Sequence, residues 1–313
     1  MNDPRGLRDA PGGPPRRPVG PTRREVVEGV TRELELSGLE SPRVEAERLV
    51  SAALQIERSD LRVEGGAALD TDEARAVARA VARRIAGEPL QHVEGTVDFR
   101  RLELVSDGRA LIPRPETEQL IDMVHEAVRR AGPFGRVLEI GVGSGALSLA
   151  LLEEGLAVRV VAVDVAEDAL EQAAENAART RLAARLDLRR CSPSVWPDLA
   201  DEPPFEAVVS NPPYVATRDI ESLAAEVRDH DPRVALDGGA DGLAVLRVVI
   251  AGAADAVVPG GRLFLEIGAD QGSAVESLLV ADGRWADVAI RPDLAGRQRF
   301  ALATRTPDPP EPR

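Results

Sequence analysis

Four short apolar runs separated by helical segments constrain the fold of this 313-residue chain more than any other feature. They are "RVLEIG" (136–141), "VRVVAVD" (158–164), "EAVVS" (206–210) and "RLFLEIG" (262–268). Each is nearly continuous rather than alternating, the pattern of strands buried on both faces. Helical patterns over about 116–131, 145–155, 167–180 and 242–257 lie among them. Alternating strands and helices predict an α/β fold, a parallel sheet with helices on both faces. Near the end, "WADVAIRPD" and "RQRFALATR" follow each other with no helix between. They predict an antiparallel hairpin at one sheet edge.

The part before this pattern is of a different kind. Residues 22–88 read as a small helical domain. "TRRE" (22–25) has the spacing of a capping box. Ser41-Pro42 suits an N-cap followed by proline at the first helical position, and "DTDE" (70–73) marks a third start. Ala74, Val77, Ala78, Val81 and Ile85 then recur at helical spacing, and Gly87 and Pro89 end the run. Residues 89–115, with the weakly alternating "VEGTVDFRRLELV", read as a strand pair linking this domain to the α/β domain over 116–305. Residues 1–21 and 306–313 have the composition of a disordered arm and tail.

Composition narrows the function classes. With 43% apolar and 29% charged residues the profile is soluble and globular. No run of 18 apolar residues is present, so no membrane span or membrane partner is expected. The Pro-, Gly- and Arg-rich start lacks the apolar core of a secretory signal. One cysteine, Cys191, excludes an intramolecular disulfide, and with three His it argues against a structural zinc site. A cytoplasmic protein fits. The net charge of −14 falls on residues 87–313, which carry 24 Arg against 38 acids. A surface that grips a phosphate backbone is normally basic, so stable nucleic-acid binding is not expected. A monomer is the default expectation.

Two stretches carry candidate chemistry. In "EIGVGSGALSLAL", Gly141, Gly143 and Gly145 follow the first run and open a helix. Glycines there let the backbone approach a ligand and turn into the helix. The second run ends in Asp164, about twenty residues on, where an acid accepts hydrogen bonds from a ribose diol or else caps the following helix. Glu139, just before the loop, either fixes the loop backbone or balances a cationic ligand. The third run ends in "SNPPY". The prolines fix two φ angles and hold Asn211 out of the helical region. Read chemically, this rigid corner offers two acceptors, the Asn211 side-chain oxygen and the Pro212 carbonyl, to a planar NH₂ group. Tyr214 would stack on that group. The corner alone suits the amide of a glutamine and the exocyclic amine of a base equally well. His230, in "RDHDPR", reads as a surface residue rather than a general base.

In this order and spacing, the glycine loop, Asp164 and Asn-Pro-Pro-Tyr resemble the class I S-adenosylmethionine-dependent methyltransferases. Three further stretches narrow the resemblance: "LIPRPETE" (111–118), "EVRDHDPRVALDGGADGL" (226–243) and "DLAGRQRF" (293–300). Together, over roughly residues 22–304, they resemble the peptide chain release factor glutamine N5-methyltransferases. The resemblance implies a Rossmann-like sheet and S-adenosyl-L-methionine as cofactor. It implies methylation of the Gln in the Gly-Gly-Gln loop of class 1 release factors, with the helical domain helping to hold the partner. A base amine, or a Gln of another protein such as a ribosomal protein, is the alternative acceptor. The loop Gly141, Val142, Gly143, Ser144 and Gly145 would cradle the methionine end of the cofactor, and Asp164 the ribose. Asn211, Pro212, Pro213 and Tyr214 match the substrate clamp, with Asn211 also beside the cofactor. Arg114 to Glu118 would wall the cofactor pocket. An ungapped count back from Asn211 sets Trp196 on the family's adenine-side aromatic. Val195 then replaces an acid, with Ser192 as the alternative polar partner.

Overall fold

A computed structural model describes residues 20–307 of the chain. Most of the expected arm (1–19) and tail (308–313) lies outside the described residues. At the end of the arm the Pro21 carbonyl accepts from the Leu69 N–H at 2.9 Å. Thr306 is likewise tied, its N–H donating to the Arg284 carbonyl at 2.8 Å. The chain forms two compact units that part between Ala86 and Gly87.

The first unit is helical: α1 (Arg23–Leu36), α2 (Pro42–Leu54), α3 (Arg58–Val63) and α4 (Thr71–Ile85). Thr22 and Asp70 both form capping boxes, each side chain bonding the third helical N–H while that residue's Glu bonds back. Ser41 occupies the cap position of α2 but makes no side-chain cap bond, leaving Pro42 to start that helix. Val27, Val30 and Leu34 of α1 and Leu49 and Val50 of α2 are buried with Val77 and Val81 of α4. Arg84, 5% exposed, is neutralised by Glu45 at 2.6 Å. Asp70→Ala removes two bonds to the first turn of α4. It is expected to lower stability by about 1 kcal/mol, measurable as a shift of the urea midpoint.

The second unit starts with α5 (Leu90–Glu94) and the antiparallel pair β1 (Thr96–Phe99) and β2 (Leu102–Val105). Then follow α6 (Pro115–Ala131), β3 (Phe134–Ile140), α7 (Ala146–Glu153), β4 (Ala157–Asp164), α8 (Glu167–Arg179), β5 (Leu186–Arg190) and β6 (Phe205–Ser210). After two short helices, α9 (Ala225–His230) and α10 (Arg233–Leu236), come α11 (Ala244–Ala256), β7 (Val257–Glu266), α12 (Gly272–Asp282), β8 (Trp285–Pro292) and β9 (Gln298–Arg305). The sheet order is β5-β4-β3-β6-β7-β9-β8. β3 to β7 pair in parallel, and the β8–β9 hairpin closes one edge antiparallel. Side chains alternate between two buried layers. Val137, Ala162 and Ala207 pack with α6, α7 and α8, whereas Leu138, Val161 and Val208 pack with α11 and α12.

The sequence reading did not include β5, α12 or the short helices between β6 and α11. β5, "LDLRR", is a half-exposed edge strand with no apolar run. α12 begins at a glycine and has no side-chain cap.

Candidate active site

Strand register builds the site. Ile140 of β3 pairs with Val163 of β4 and with Ser210 of β6, and Ser210 pairs with Leu265 of β7. The next residue along each strand is Gly141, Asp164, Asn211 and Glu266. These four therefore emerge in one row at the carboxyl ends of adjacent strands. The chain leaves β3 toward β4 on one side and returns at β6 on the other. Ligands of open α/β sheets bind in the crevice at such a reversal.

The glycine loop is held from three sides. Gly143 adopts φ +53°, a region that side chains disfavour, and its N–H donates to Asp164 Oδ2 at 3.0 Å. Gly145 opens α7 at φ +84°, and a Cβ there would lie 3.3 Å from Ala173 and Leu149. The fully buried Asn176 donates to the Ser144 carbonyl at 2.9 Å. Asp164 accepts a second backbone bond, from the Ala166 N–H at 3.0 Å. It thus serves both the loop and the start of α8 while lining a cavity of about 520 Å³. Glu139 points to the α7 side, where its Oε2 accepts from the Ser148 N–H at 2.9 Å and from the Ser148 hydroxyl. Burial pushes this carboxyl up to about 8, and the nearby Asp164 charge acts in the same direction.

The Asn-Pro-Pro-Tyr corner is braced by "LDGGADGL". Val215 donates to the Leu236 carbonyl and Gly238 to the Val215 carbonyl. A Cβ on Gly238 would lie 2.8 Å from the Pro213 carbonyl oxygen, and one on Gly242 2.4 Å from that of Tyr214. Gln271 Nε2 bridges the Tyr214 and Gly242 carbonyls at 3.0 and 3.1 Å. Asn211 Nδ2 donates to Thr117 Oγ1 at 3.1 Å, Thr117 Oγ1 to Glu266 Oε2 at 2.7 Å, and the Tyr214 hydroxyl to Glu266 Oε1 at 3.2 Å. Burial raises the pKa of both Glu266 and Tyr214. Arg299 lies over the Tyr214 ring, 5.9 Å from its centroid.

A second, smaller cavity of about 80 Å³ adjoins the first. Leu111, Gly141, Gly143, Pro213 and Ala235 line both. The smaller one also touches Glu139, Val142, Ser144, Thr117 and Asn211. The larger also reaches Val165, Cys191, Val195 and Val245, which give it an apolar lining beside Asp164. The Arg114 guanidinium and the Ile112 N–H both bond the Asp231 carboxylate, which fixes "LIPRPETE" against the segment before α10.

Most expected site residues meet here: the glycine loop, Asp164, Asn211 and Pro213. Trp196 does not, and its expected place is corrected. Its indole Nε1 donates to the Val248 carbonyl at 2.6 Å, and its ring lies on Gly252 of α11. Val195, at φ +58°, turns the chain so that Val195 rather than Trp196 faces the cavity. Ser192 bonds Ser194 and Asp198 and does not line either cavity. Tyr214 and Pro212 sit in the corner without lining either cavity; the Tyr214 hydroxyl is directed at Glu266. Of the "RPETE" residues only Thr117 lines the site. Glu116 pairs with Arg297, and Glu118 accepts from the Arg100 N–H. His230 ends α9 and lines neither cavity. Glu266 was not singled out from sequence, where it is one more residue of an apolar strand; its register beside Asn211 is what reveals it.

Comparison with known proteins agrees along the chain. Residues 25–95 match the PrmC N-terminal domain family, and residues 137–230 a family described as methyltransferase domain. The release factor glutamine methyltransferase of Deinococcus radiodurans is 40% identical over 282 residues, covering 90% of this chain and 98% of that protein. Its counterpart from Geobacter sulfurreducens is 39% identical, covering 84% and 89%. That from Streptomyces coelicolor is 37% identical, covering 88% and 95%.

Proposed function

Because the chain belongs to the release factor glutamine methyltransferase family, and so transfers a methyl group from S-adenosyl-L-methionine to a release factor glutamine, we propose that the acceptor is the side-chain N5 of the Gln in the Gly-Gly-Gln loop of class 1 release factors. The observation that carries this reading is the shared wall of the two cavities, which sets the glycine loop and the Asn211 corner around one cleft. A base amine, or a Gln of another protein, is not favoured by these three relatives, each of which is named for release factor glutamine methylation.

The residues present fit the cofactor. The larger cavity is of ligand size. Asp164 retains free lone pairs for a ribose diol beside its two backbone bonds. Val165, Val195 and Val245 suit the faces of adenine. The glycine loop would hold the methionine end. Trp196 is not proposed as a contact. When bound, S-adenosyl-L-methionine supplies a methyl carbon already activated by positive sulfur.

The chain's own task is then to aim a poor nucleophile, since an amide lone pair is delocalised. Asn211 Oδ1 and the Pro212 carbonyl would each accept one hydrogen of the substrate NH₂. Two acceptors fix the nitrogen in line with the methyl carbon and favour the positive charge that develops on it. Pro212 and Pro213 keep the acceptors from moving, and Tyr214 closes the corner. The helical domain over 22–88 is proposed to hold the release factor, and the acidic α/β unit to act as a monomer without stable nucleic-acid binding, in the cytoplasm. Among the described residues no helix is long and apolar enough to cross a membrane.

The test is to incubate the protein with a class 1 release factor and methyl-labelled cofactor, then locate the label by mass spectrometry. Label on the Gly-Gly-Gln glutamine is expected. Label elsewhere on the factor, or none, would overturn the reading.

A further inference from the structure

We infer that Glu266, acting through the Thr117 hydroxyl, determines which end of the Asn211 amide faces the substrate. The inference rests on the clamp proposed above and deepens it. The two ends of an Asn amide are alike in shape and opposite in hydrogen bonding. With Oδ1 toward the substrate, Asn211 accepts from an NH₂ group; with Nδ2 there, two donors meet and the clamp fails. The corner itself does not choose between them.

The choice is made behind the corner. Thr117 has one hydroxyl proton, and Glu266 Oε2 lies 2.7 Å from its Oγ1. The other oxygen of Glu266 takes the Tyr214 proton at 3.2 Å. An ionised carboxylate only accepts, so Thr117 must donate to Glu266 and has only lone pairs left for Asn211. Nδ2 is the end that can answer them, at 3.1 Å, and Oδ1 is thereby turned to the cleft. Thr117 is 4% exposed and Glu266 1%, so water has little access to break this order. Burial raises the pKa of Glu266 and the Glu116 charge acts in the same direction, whereas the two hydroxyl donors, Thr117 and Tyr214, and the Arg299 cation favour the ionised form. Thr117 and Glu266 are thus positioning residues, without contact to the transferred methyl group.

Thr117→Val and Glu266→Gln test this. Both are nearly isosteric. Valine offers Asn211 no acceptor. In Glu266→Gln the Tyr214 proton still needs an acceptor, so the new amide turns its oxygen to Tyr214 and its NH₂ to Thr117. Thr117 then donates to Asn211, and the Asn211 amide reverses. Each variant is expected to lower kcat for release-factor methylation roughly tenfold to a hundredfold, as partners behind a site typically do. KM for S-adenosyl-L-methionine should not change. Thr117→Ser, which keeps the hydroxyl, should recover the kcat lost in Thr117→Val. Adding Tyr214→Phe to Glu266→Gln removes the competing proton and should recover part of the loss. The Asn211 side-chain NH₂ resonances, assigned by their loss in Asn211→Ala, should shift in Thr117→Val and Glu266→Gln but not in Thr117→Ser. This last arm, read with S-adenosylhomocysteine and no substrate, separates the inference from the choice of acceptor. Equal kcat in Thr117→Val and Thr117→Ser, or unmoved Asn211 resonances in Thr117→Val, overturns it, whether or not Glu266→Gln folds.

Discussion

Asn211→Ala is expected to lower kcat for release-factor methylation by about 10²–10³-fold, the cost typical of losing one preorganised group at a reacting centre. The affinity for S-adenosyl-L-methionine should stay within a few-fold. The separation follows from placement. Gly141 to Gly145 and Asp164 hang on β3 and β4 and keep their bonds to one another. The Asn211 side chain bonds only Thr117 among the described residues, so its loss removes an acceptor from the cleft without unpinning the loop. The corner backbone is held by Gln271 and by the bridge of Val215 to Asp237. Asn211→Asp should be impaired as well, although it keeps an acceptor. Its second oxygen would face the Thr117 lone pairs, since the Thr117 proton is committed to Glu266. Single-turnover methylation at saturating cofactor, with calorimetry of cofactor binding, measures both quantities. An Asn211→Ala enzyme that methylates at the wild-type rate would remove Asn211 from the clamp.

The parts of this site visible in the sequence are those whose cause is local. A glycine at positive φ, an acid at a strand end and a double proline are each written in a few adjacent residues, and Gly143, Asp164 and Asn211 line the two adjoining cavities. What joins them is register, which is not local. Glu266 becomes a neighbour of Asn211 only because Ser210 pairs with Leu265, and Thr117 only because α6 starts beside β7. Trp196 shows the opposite failure. Counting residues assigns a position but not a direction. A positive φ at Val195 and a carbonyl acceptor for the indole at Val248 turn the ring to the far side. The stretch "LDGGADGL" was legible as a family mark, and its physical task emerges from the structure: glycines that let two carbonyls of the Asn-Pro-Pro-Tyr corner approach. In the fold, continuous apolar strands were readable. The edge strand β5 was not, because an edge strand with one exposed side has no need of such a run.

Glu139 should make the stability of the α/β unit fall with rising pH in a window where most carboxylates do the reverse. It is 1% exposed, and burial, with Asp164 adding to it, raises its pKa from 4.5 to about 8. The unfolded chain releases this proton near pH 4.5, whereas the folded chain keeps it until about pH 8. Between those values the unfolded state binds fewer protons, so raising the pH favours unfolding. The contribution is fully present below the lower value and is lost as the pH passes the upper one. The slope is about 1.4 kcal/mol per pH unit, which amounts to several kcal/mol across the window and is an upper bound for a group that can relax. Glu139→Gln keeps an oxygen for the Ser148 N–H and hydroxyl and has no charge to bury. Its stability should therefore match the wild type near pH 5 and exceed it progressively toward pH 8. Urea unfolding of both proteins at several pH values measures the difference. Parallel stability curves across the window would mean that Glu139 carries its charge at ordinary cost. In that case the carboxyl would stand ionised at the glycine loop from low pH onward, ready to face a cationic ligand before one arrives.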